Sequence, residues 1–381
     1  MRFLIVPDKF KGCLNAIGVA QAMARGVQDV FPDANITSIP LADGGDGTAE
    51  ILCRALKARK KRGIVLDPIG RKVAASWGLR KKTAYLDLAS ASGLALIPPS
   101  RRNPLKTSSY GTGQLLATAV RAGAREIVLG VGGSATVDGG LGAMKALGIR
   151  FLDQQGREIS EGGSGLSQLR RIDLGDCLWR GKSIRVTILA DVTNPLLGPN
   201  GAALVFGPQK GATPAMVREL SRGLKQLDRV IERQFGKPIG KMVSGGAAGG
   251  IVAGLVGILG QVEEVEVRVV RGIDFVLEAL GVESIMRRAD WVLTGEGRLD
   301  SQTADGKTVQ GVACLARRLR KPVIAFAGKL ELDERAMKTM GLPAAFGIAP
   351  RSCLLEESFA NATTWLRATV HDVMRLIRGA Q

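Results

Sequence analysis

The stretch EIVLGVGGSATVDGGLGAMKAL, residues 126–147, holds a short apolar run, a glycine turn and a helix-forming segment in that order. The run at 126–129 suits a strand, 130–140 carries too many glycines for regular structure, and 141–147 has the composition of a helix. Strand, turn and helix in this sequence form the unit from which α/β folds are built. Main-chain N–H groups in such a turn can face an anion. Three more turns share the texture: ADGGDGT at 42–48, SGGAAGG at 244–250 and TGEGRLD at 294–300. Carboxylates beside glycine turns suit a magnesium ion that escorts phosphates. Together the turns point to phosphoryl transfer.

Outward from this unit, five short apolar runs lie near the two chain ends, at 2–6, 36–41, 291–293, 323–327 and 344–348. They alternate with helix-like stretches at 16–30, 48–57, 306–319, 333–339 and 355–378. Such alternation predicts an α/β fold whose first domain is a flavodoxin-like, doubly wound parallel sheet of order 2-1-3-4-5, built from both chain ends. Ligands of these sheets bind beyond the carboxyl ends of the strands, where the winding reverses. The loops PDKFKG at 7–12, ADGGDGT at 42–48 and GEGRLD at 295–300 are expected to converge there. The middle has β-rich stretches at 63–66, 73–79, 84–88, 183–190 and 264–270, and helices at 114–122 and 216–234. It reads as an inserted α/β domain facing the first across a cleft. The predicted domains are therefore 1–62 plus 284–381, and 63–283.

Composition narrows the function classes. The chain has 381 residues, 50 of them glycine, and its hydrophobic share of 45% belongs to a folded globular protein. Aromatics are 4%, so the core is built from aliphatic side chains. The net charge of +18 raises the local concentration of anionic ligands and also favours nonspecific nucleic-acid binding. Basic runs at 57–62, 80–82 and 317–321 lack interleaved aromatics on which bases could stack, so they read as solvated surface. Five scattered cysteines show no metal-site spacing and read as free thiols in a reducing compartment. The chain opens directly on a strand with no leader pattern, which predicts a cytoplasmic protein. Residues 242–262 carry no charge over about a membrane thickness, but their seven glycines favour a loop leading into a buried helix. The single histidine, His371, lies on an amphipathic helix, which leaves Ser-His and Cys-His nucleophile schemes without a base.

The candidate site residues sit in the turns. Asp8, Lys9 and Lys11 follow the first strand, where a lysine can neutralise a transferring phosphoryl group. Asp43 and Asp46 lie in a loop whose glycines already serve the turn, and Thr48 can cap the next helix. In NPLKTSSYGTG, residues 103–113, Lys106 and three hydroxyls precede a helix in the manner of an anion site. Gly132, Gly133, Ser134 and Asp138 are candidate phosphate contacts. Asp191 follows a strand, with Asn194, Asn200, Gln209 and Lys210 nearby, and a carboxylate so placed can accept a proton from an attacking hydroxyl. Glu296, Arg298, Asp300 and Lys307 occupy the last turn. DGKT at 305–308 is not a P-loop, because Ser301 stands where the leading glycine is required.

In this order, PDKFKG, ADGGDGT, NPLKTSSYGTG, GVGGSATVDGG, DVTNPLLGPNGA, FGPQKGA, SGGAAGG and TGEGRLDSQT make the chain resemble the bacterial glycerate kinase family, of the ATP-dependent type 1, over essentially its whole length. The resemblance implies two α/β domains around a cleft and transfer of the γ-phosphoryl of ATP to D-glycerate with Mg2+, with 2-phosphoglycerate favoured over 3-phosphoglycerate. Lys9 and Cys13 stand where serine is common in that family, Val137 replaces a frequent asparagine and Asp46 a frequent glutamate. Lys9 adds charge near the expected phosphate path. The expected roles are Asp191 as the group that orients or deprotonates the acceptor, Lys11 and Lys307 as charge stabilisers, and Asp43, Asp46, Glu296 and Asp300 as the source of metal ligands. Asp8, Lys9, Lys106, Asn194 and Arg298 join the turn residues as substrate or phosphate contacts. The expected partners are D-glycerate and ATP, with no nucleic acid and no membrane; homodimerisation stays open. A kinase of another small hydroxy acid and, more distantly, a basic nucleic-acid-binding protein are the competing readings.

Overall fold

The computed structural model describes residues 1–300, 308–350 and 353–380. They form two compact units, Met1–Asp43 with Ile273–Gln381, and Gly44–Gly272. The first unit opens with β1 (Arg2–Ile5), α1 (Ala16–Gln28) and β2 (Asn35–Ser38). Asn15 starts α1 by accepting the Gly18 N–H on its side chain at 2.8 Å, the usual N-cap device.

The second unit is contiguous. It contains α2 (Thr48–Ala55), β3 (Arg59–Leu66), β4 (Lys72–Arg80), β5 (Thr83–Asp87), α3 (Ala89–Ser92), α4 (Tyr110–Arg121), β6 (Glu126–Gly130) and α5 (Leu141–Lys145). There follow β7 (Arg150–Leu152), β8 (Arg171–Asp173), β9 (Ile184–Leu189), α6 (Ala202–Phe206), α7 (Pro214–Phe235), α8 (Ile251–Ile258) and β10 (Val265–Val270). Its main sheet runs β10-β9-β6-β5-β4-β3. The strands from β5 to β10 pair in parallel, and β3 and β4 form an antiparallel edge. Much of the basic run at 57–62 lies on β3, an edge strand whose lysines and arginines discourage pairing with another chain. Thr213 caps α7 and Pro214 occupies its first turn. The helix buries Val217, Leu220, Leu224, Leu227 and Ile231 in a core that also holds Phe151 and Trp179.

The chain returns to the first unit through α9 (Gly272–Ala279), α10 (Val282–Met286), β11 (Trp291–Leu299), α11 (Thr308–Arg318), β12 (Val323–Leu330), α12 (Glu334–Met340), β13 (Ala344–Gly347) and α13 (Leu355–Gly379). The sheet order is β13-β12-β11-β1-β2, all parallel, which in the unit's own numbering is the predicted 2-1-3-4-5. Phe3, Ile5, Met23, Leu293, Phe326, Leu366 and Val370 share its core. Helices α1 and α13 pack so closely that a Cβ on Gly26 would lie 2.7 Å from the Arg367 carbonyl oxygen.

The second unit starts at Gly44 and ends at Gly272, where residues 63 and 283 were expected, and two further differences stand out. Residues 48–57, placed by pattern with the first unit, count with the second, because α2 packs on β4 and β5 and Asp87 binds its N-terminus. The expected loop at 295–300 is mostly strand. β11 runs on to Leu299, paired with β12 through Arg298 opposite Lys329 and Leu299 opposite Leu330. In the uncharged stretch 242–262 the only α-helix is the eight-residue α8, and among the described residues no helix is long and apolar enough to cross a membrane.

Candidate active site

In the second unit the carboxyl ends of β5, β6 and β9 lie side by side, with Asp87, Gly130 and Leu189 in register. The turn after β6 packs main chain to main chain against the turn 44–47. The Gly132 N–H donates to the Gly44 carbonyl at 3.2 Å, and a Cβ on Gly132 would sit 2.5 Å from Gly45 Cα. Gly132 and Gly130, whose Cβ would lie 2.9 Å from the Gly44 carbonyl oxygen, are therefore required by the approach of the two turns, whereas a Cβ on Gly47 would meet nothing within 4 Å. Gly133 is exposed, with φ at 75°, so its main chain is accessible to a ligand. The Asp87 carboxylate accepts N–H bonds from Gly47 and Ala49, each at 3.0 Å, and so takes the capping role expected of Thr48. The Thr48 hydroxyl donates to the Gly45 carbonyl instead.

Asp138 has no exposed surface. Its Oδ2 accepts bonds from the Ser109 N–H (2.9 Å), the Ser109 hydroxyl (2.7 Å) and the Gly142 N–H (3.2 Å), while Oδ1 accepts the Gly140 N–H at 3.1 Å. The carboxylate thus ties the turn to the start of α4 and fixes both, which is positioning rather than ligand contact. The hydroxyls of 103–113 are also internal. Thr107 donates to the Ala135 carbonyl at 3.0 Å and Ser108 to Glu161 at 2.5 Å, leaving exposed Lys106 as the group of that motif that faces solvent.

Ser134 is 6% exposed, and its main chain is clamped on both sides. The Leu94 N–H donates to the Gly133 carbonyl at 2.8 Å, and the Ala135 N–H donates to the Ser92 carbonyl at 2.9 Å. The Ser134 hydroxyl oxygen accepts a 2.7 Å bond from Lys210 Nζ, which also donates to the Thr136 carbonyl at 2.7 Å. Lys210 is buried, and that burial pushes its ammonium down to about 7 against the opposing pull of the Asp138 charge. Asp191, half-exposed, lies two residues beyond the end of β9. The Asn194 side-chain NH2 donates to the Asn200 carbonyl at 2.9 Å and its main-chain carbonyl accepts from the Gly246 N–H, bracing the segment that follows Asp191.

In the first unit, the chain that leaves β1 continues alongside β11. The Asp8 N–H donates to the Gly295 carbonyl at 2.8 Å, and the Thr294 hydroxyl donates to the Val6 carbonyl at 2.9 Å. Asp8 is buried, its Oδ2 accepting from the Thr308 hydroxyl and its Oδ1 from the Lys9 N–H, both at 2.6 Å. Burial and the nearby negative charge of Asp43 push Asp8 up to about 6 despite those bonds. Two carboxylates close enough to repel each other are a donor pair that a divalent cation relieves, so this pair fits one. Glu296, 8% exposed, follows Gly295 on β11. Arg298 is engaged by Asp300 at 3.1 Å and by Glu331, so that pair forms a local ion network. Lys9 is half-buried, Lys11 and Asp46 are exposed, and Lys307 lies outside the described residues. Among the described residues, no three His, Cys, Asp or Glu side chains come together as a ready metal cage.

A groove of about 750 Å³ lies along α9, α10 and α11 and is lined by the surface ion pairs of Glu283 with Arg287 and Arg318. A smaller one of about 370 Å³ borders Asp46, Asp87 and Ser90 in the second unit. Sequence reasoning gave no role to Asp87 or Thr308, took the Ser109 hydroxyl as part of an anion site where it is bonded to Asp138, and noted Lys210 only as a neighbour. Asp87 is legible only as an acid at a strand end, and nothing local marks Lys210 as buried.

Residues 3–378 match the model of the glycerate kinase family. The chain is 42% identical over 383 residues to a glycerate kinase of Bacillus subtilis (strain 168), covering 100% of this chain and 99% of the relative. It is also 42% identical to a glycerate 2-kinase of Escherichia coli (strain K12), covering 95% of this chain and 94% of the relative. A crystal structure from Salmonella typhimurium LT2, provisionally named glycerate kinase 2, superimposes with a TM-score of 0.84 at 42% identity, covering 100% of this chain and 99% of that one.

Proposed function

The chain belongs to the glycerate kinase family and is an ATP-dependent glycerate kinase, and from that premise we propose that it phosphorylates the 2-hydroxyl of D-glycerate. The observation that carries this choice of hydroxyl is the full-length likeness to the glycerate 2-kinase of Escherichia coli. Asp191 is proposed to orient or deprotonate the acceptor hydroxyl, being a half-exposed carboxylate at the edge where β6 and β9 end. Ser134 and the exposed main chain at Gly133 are proposed to donate hydrogen bonds to an anionic group of the substrates. Lys9 and Lys11 supply positive charge after β1, and Lys106 does so beside the second-unit turns.

Magnesium is proposed to be held by Asp8 or Asp43, with Glu296 beside them on β11; Asp46 and Asp300 remain weaker candidates, one exposed and the other paired with Arg298. A magnesium ion with one or two protein carboxylates keeps its waters and takes phosphate oxygens as further ligands. When bound it neutralises charge on the phosphoryl group in transfer.

A coupled ADP-release assay with D-glycerate, with the product resolved by phosphorus NMR, tests the proposal. Only 2-phosphoglycerate is expected; 3-phosphoglycerate as the product overturns the choice of hydroxyl. In the same assay Asp191→Asn is expected to lower kcat by at least about a hundredfold, in the range of general-base losses, with KM for glycerate little changed. Near-normal turnover removes Asp191 from the reaction.

A further inference from the structure

We infer that Lys210 is a positioning residue for the kinase reaction, one that holds the Ser134 hydroxyl so that its hydrogen is turned toward an anionic substrate oxygen. This rests on the proposed ligand role of Ser134. A serine hydroxyl has one hydrogen to give, and its oxygen accepts from partners in other directions. In its ammonium form Lys210 Nζ, at 2.7 Å, has only hydrogens to offer, so the Ser134 oxygen is then the acceptor in that contact and its own hydrogen points elsewhere. The main chain at 133–135 is pinned by Leu94 and Ser92, which leaves rotation of the Ser134 side chain as the freedom to be removed. The second Lys210 bond, to the Thr136 carbonyl, fixes the ammonium itself.

The cost of this arrangement argues for a use. Burying a lysine with its charge is unfavourable, and a core of this kind accepts methionine in the same volume. A lysine retained at full burial, aimed at a nearly buried hydroxyl in a glycine turn, gives the turn a fixed donor and a positive charge beneath it. The ligand chemistry is an anionic oxygen, either the glycerate carboxylate or an ATP phosphate.

The test compares Lys210→Met, Ser134→Ala and the double variant, measuring KM for glycerate, KM for ATP, kcat and Tm. Removing a charge-assisted bond to the substrate donor is expected to raise one of the two KM values about tenfold in Lys210→Met. The substrate whose KM moves identifies the anion. Ser134→Ala is expected to raise the same KM, and the double variant to be no worse than Ser134→Ala alone. A structural role for Lys210 would lower Tm with both KM values unchanged, and that result overturns the inference, as do effects of the two substitutions that multiply. Unchanged KM values in Ser134→Ala instead overturn the reading of Ser134 itself. Should Lys210→Met not fold, Lys210→Gln serves, since it leaves a neutral polar group on a side chain one atom shorter. A rise in the same KM of at least about threefold is then expected, from loss of the charge and a weakened bond, and none refutes the inference.

Discussion

Replacing Asp138 by asparagine separates a positioning carboxylate from a ligand contact. The side chain is fully buried and receives four donors, three on Oδ2 and one on Oδ1. Asparagine brings one oxygen and one NH2 group. Its oxygen serves best at the Oδ2 position, which leaves the NH2 facing the Gly140 N–H, donor against donor. One bond to a charged group is then lost and one N–H is left buried without an acceptor, while the remaining three bonds weaken because the acceptor is neutral. Lost charged bonds cost about 1.5–3 kcal/mol and an orphaned donor about 1–3 kcal/mol, so the expected destabilisation is about 3 kcal/mol. Urea unfolding followed by circular dichroism should show a lowered midpoint at unchanged slope, and Tm should fall by roughly 5–10 °C. Asp138→Ala, which strands all the donors, should cost more. At a temperature where Asp138→Asn is folded, its KM values should stay within about twofold of the parent, a change worth under 0.5 kcal/mol. A variant as stable as the parent but with a KM raised tenfold would refute the reasoning and return Asp138 to the ligand.

The glycine turns give a graded pair. Gly132→Ala puts a methyl 2.5 Å from Gly45 Cα and should destabilise by about 2–3 kcal/mol, whereas Gly133→Ala meets nothing closer than 3.4 Å and bears chiefly the strain of its positive φ, about 1 kcal/mol. Equal losses in denaturant titrations would contradict the close approach of the two turns. Asp8 predicts a pH effect. Its folded value near 6 lies above the ordinary 3.8, so its contribution to stability is fully present below about 4 and is lost as pH rises through 6. Asp8→Asn, compared with the parent in chelator from pH 4 to 8, should gain relative stability across that window, by up to about 3 kcal/mol at the top. A stability difference that does not change with pH would rule out the raised value.

The order of the five-stranded sheet was legible because its strands are short apolar runs separated by amphipathic helices, and parallel pairing needs just that alternation. The extension of β11 through Gly295–Leu299 was not, because Gly-Glu-Gly-Arg reads locally as a turn. It is held as strand by main-chain bonds to β12 and by the bond from Arg298 to Glu331, which no local pattern shows. The turns were legible as turns at strand ends, but the internal partners of residues such as Asp138 and Ser109 were not. Glycine permits both close packing and phosphate contact, and only the distance from Gly132 to Gly45 shows which of the two occupies that position. Asp138 and Lys210 illustrate the remaining limit. A charged side chain in a loop reads as exposed by default, and its burial depends on partners such as Ser109 and Ser134 that lie far along the chain.

The interruption of one sheet by a whole second unit bears on how the protein emerges from the ribosome. β1 lies inside its sheet, between β2 and β11, so about 285 residues must be made after it before its second neighbour exists. The uninterrupted span from Gly44 to Gly272 has no such wait and can complete its own core during synthesis. Until the C-terminal strands arrive, the nascent β1–β2 pair presents an apolar edge to which a chaperone can bind.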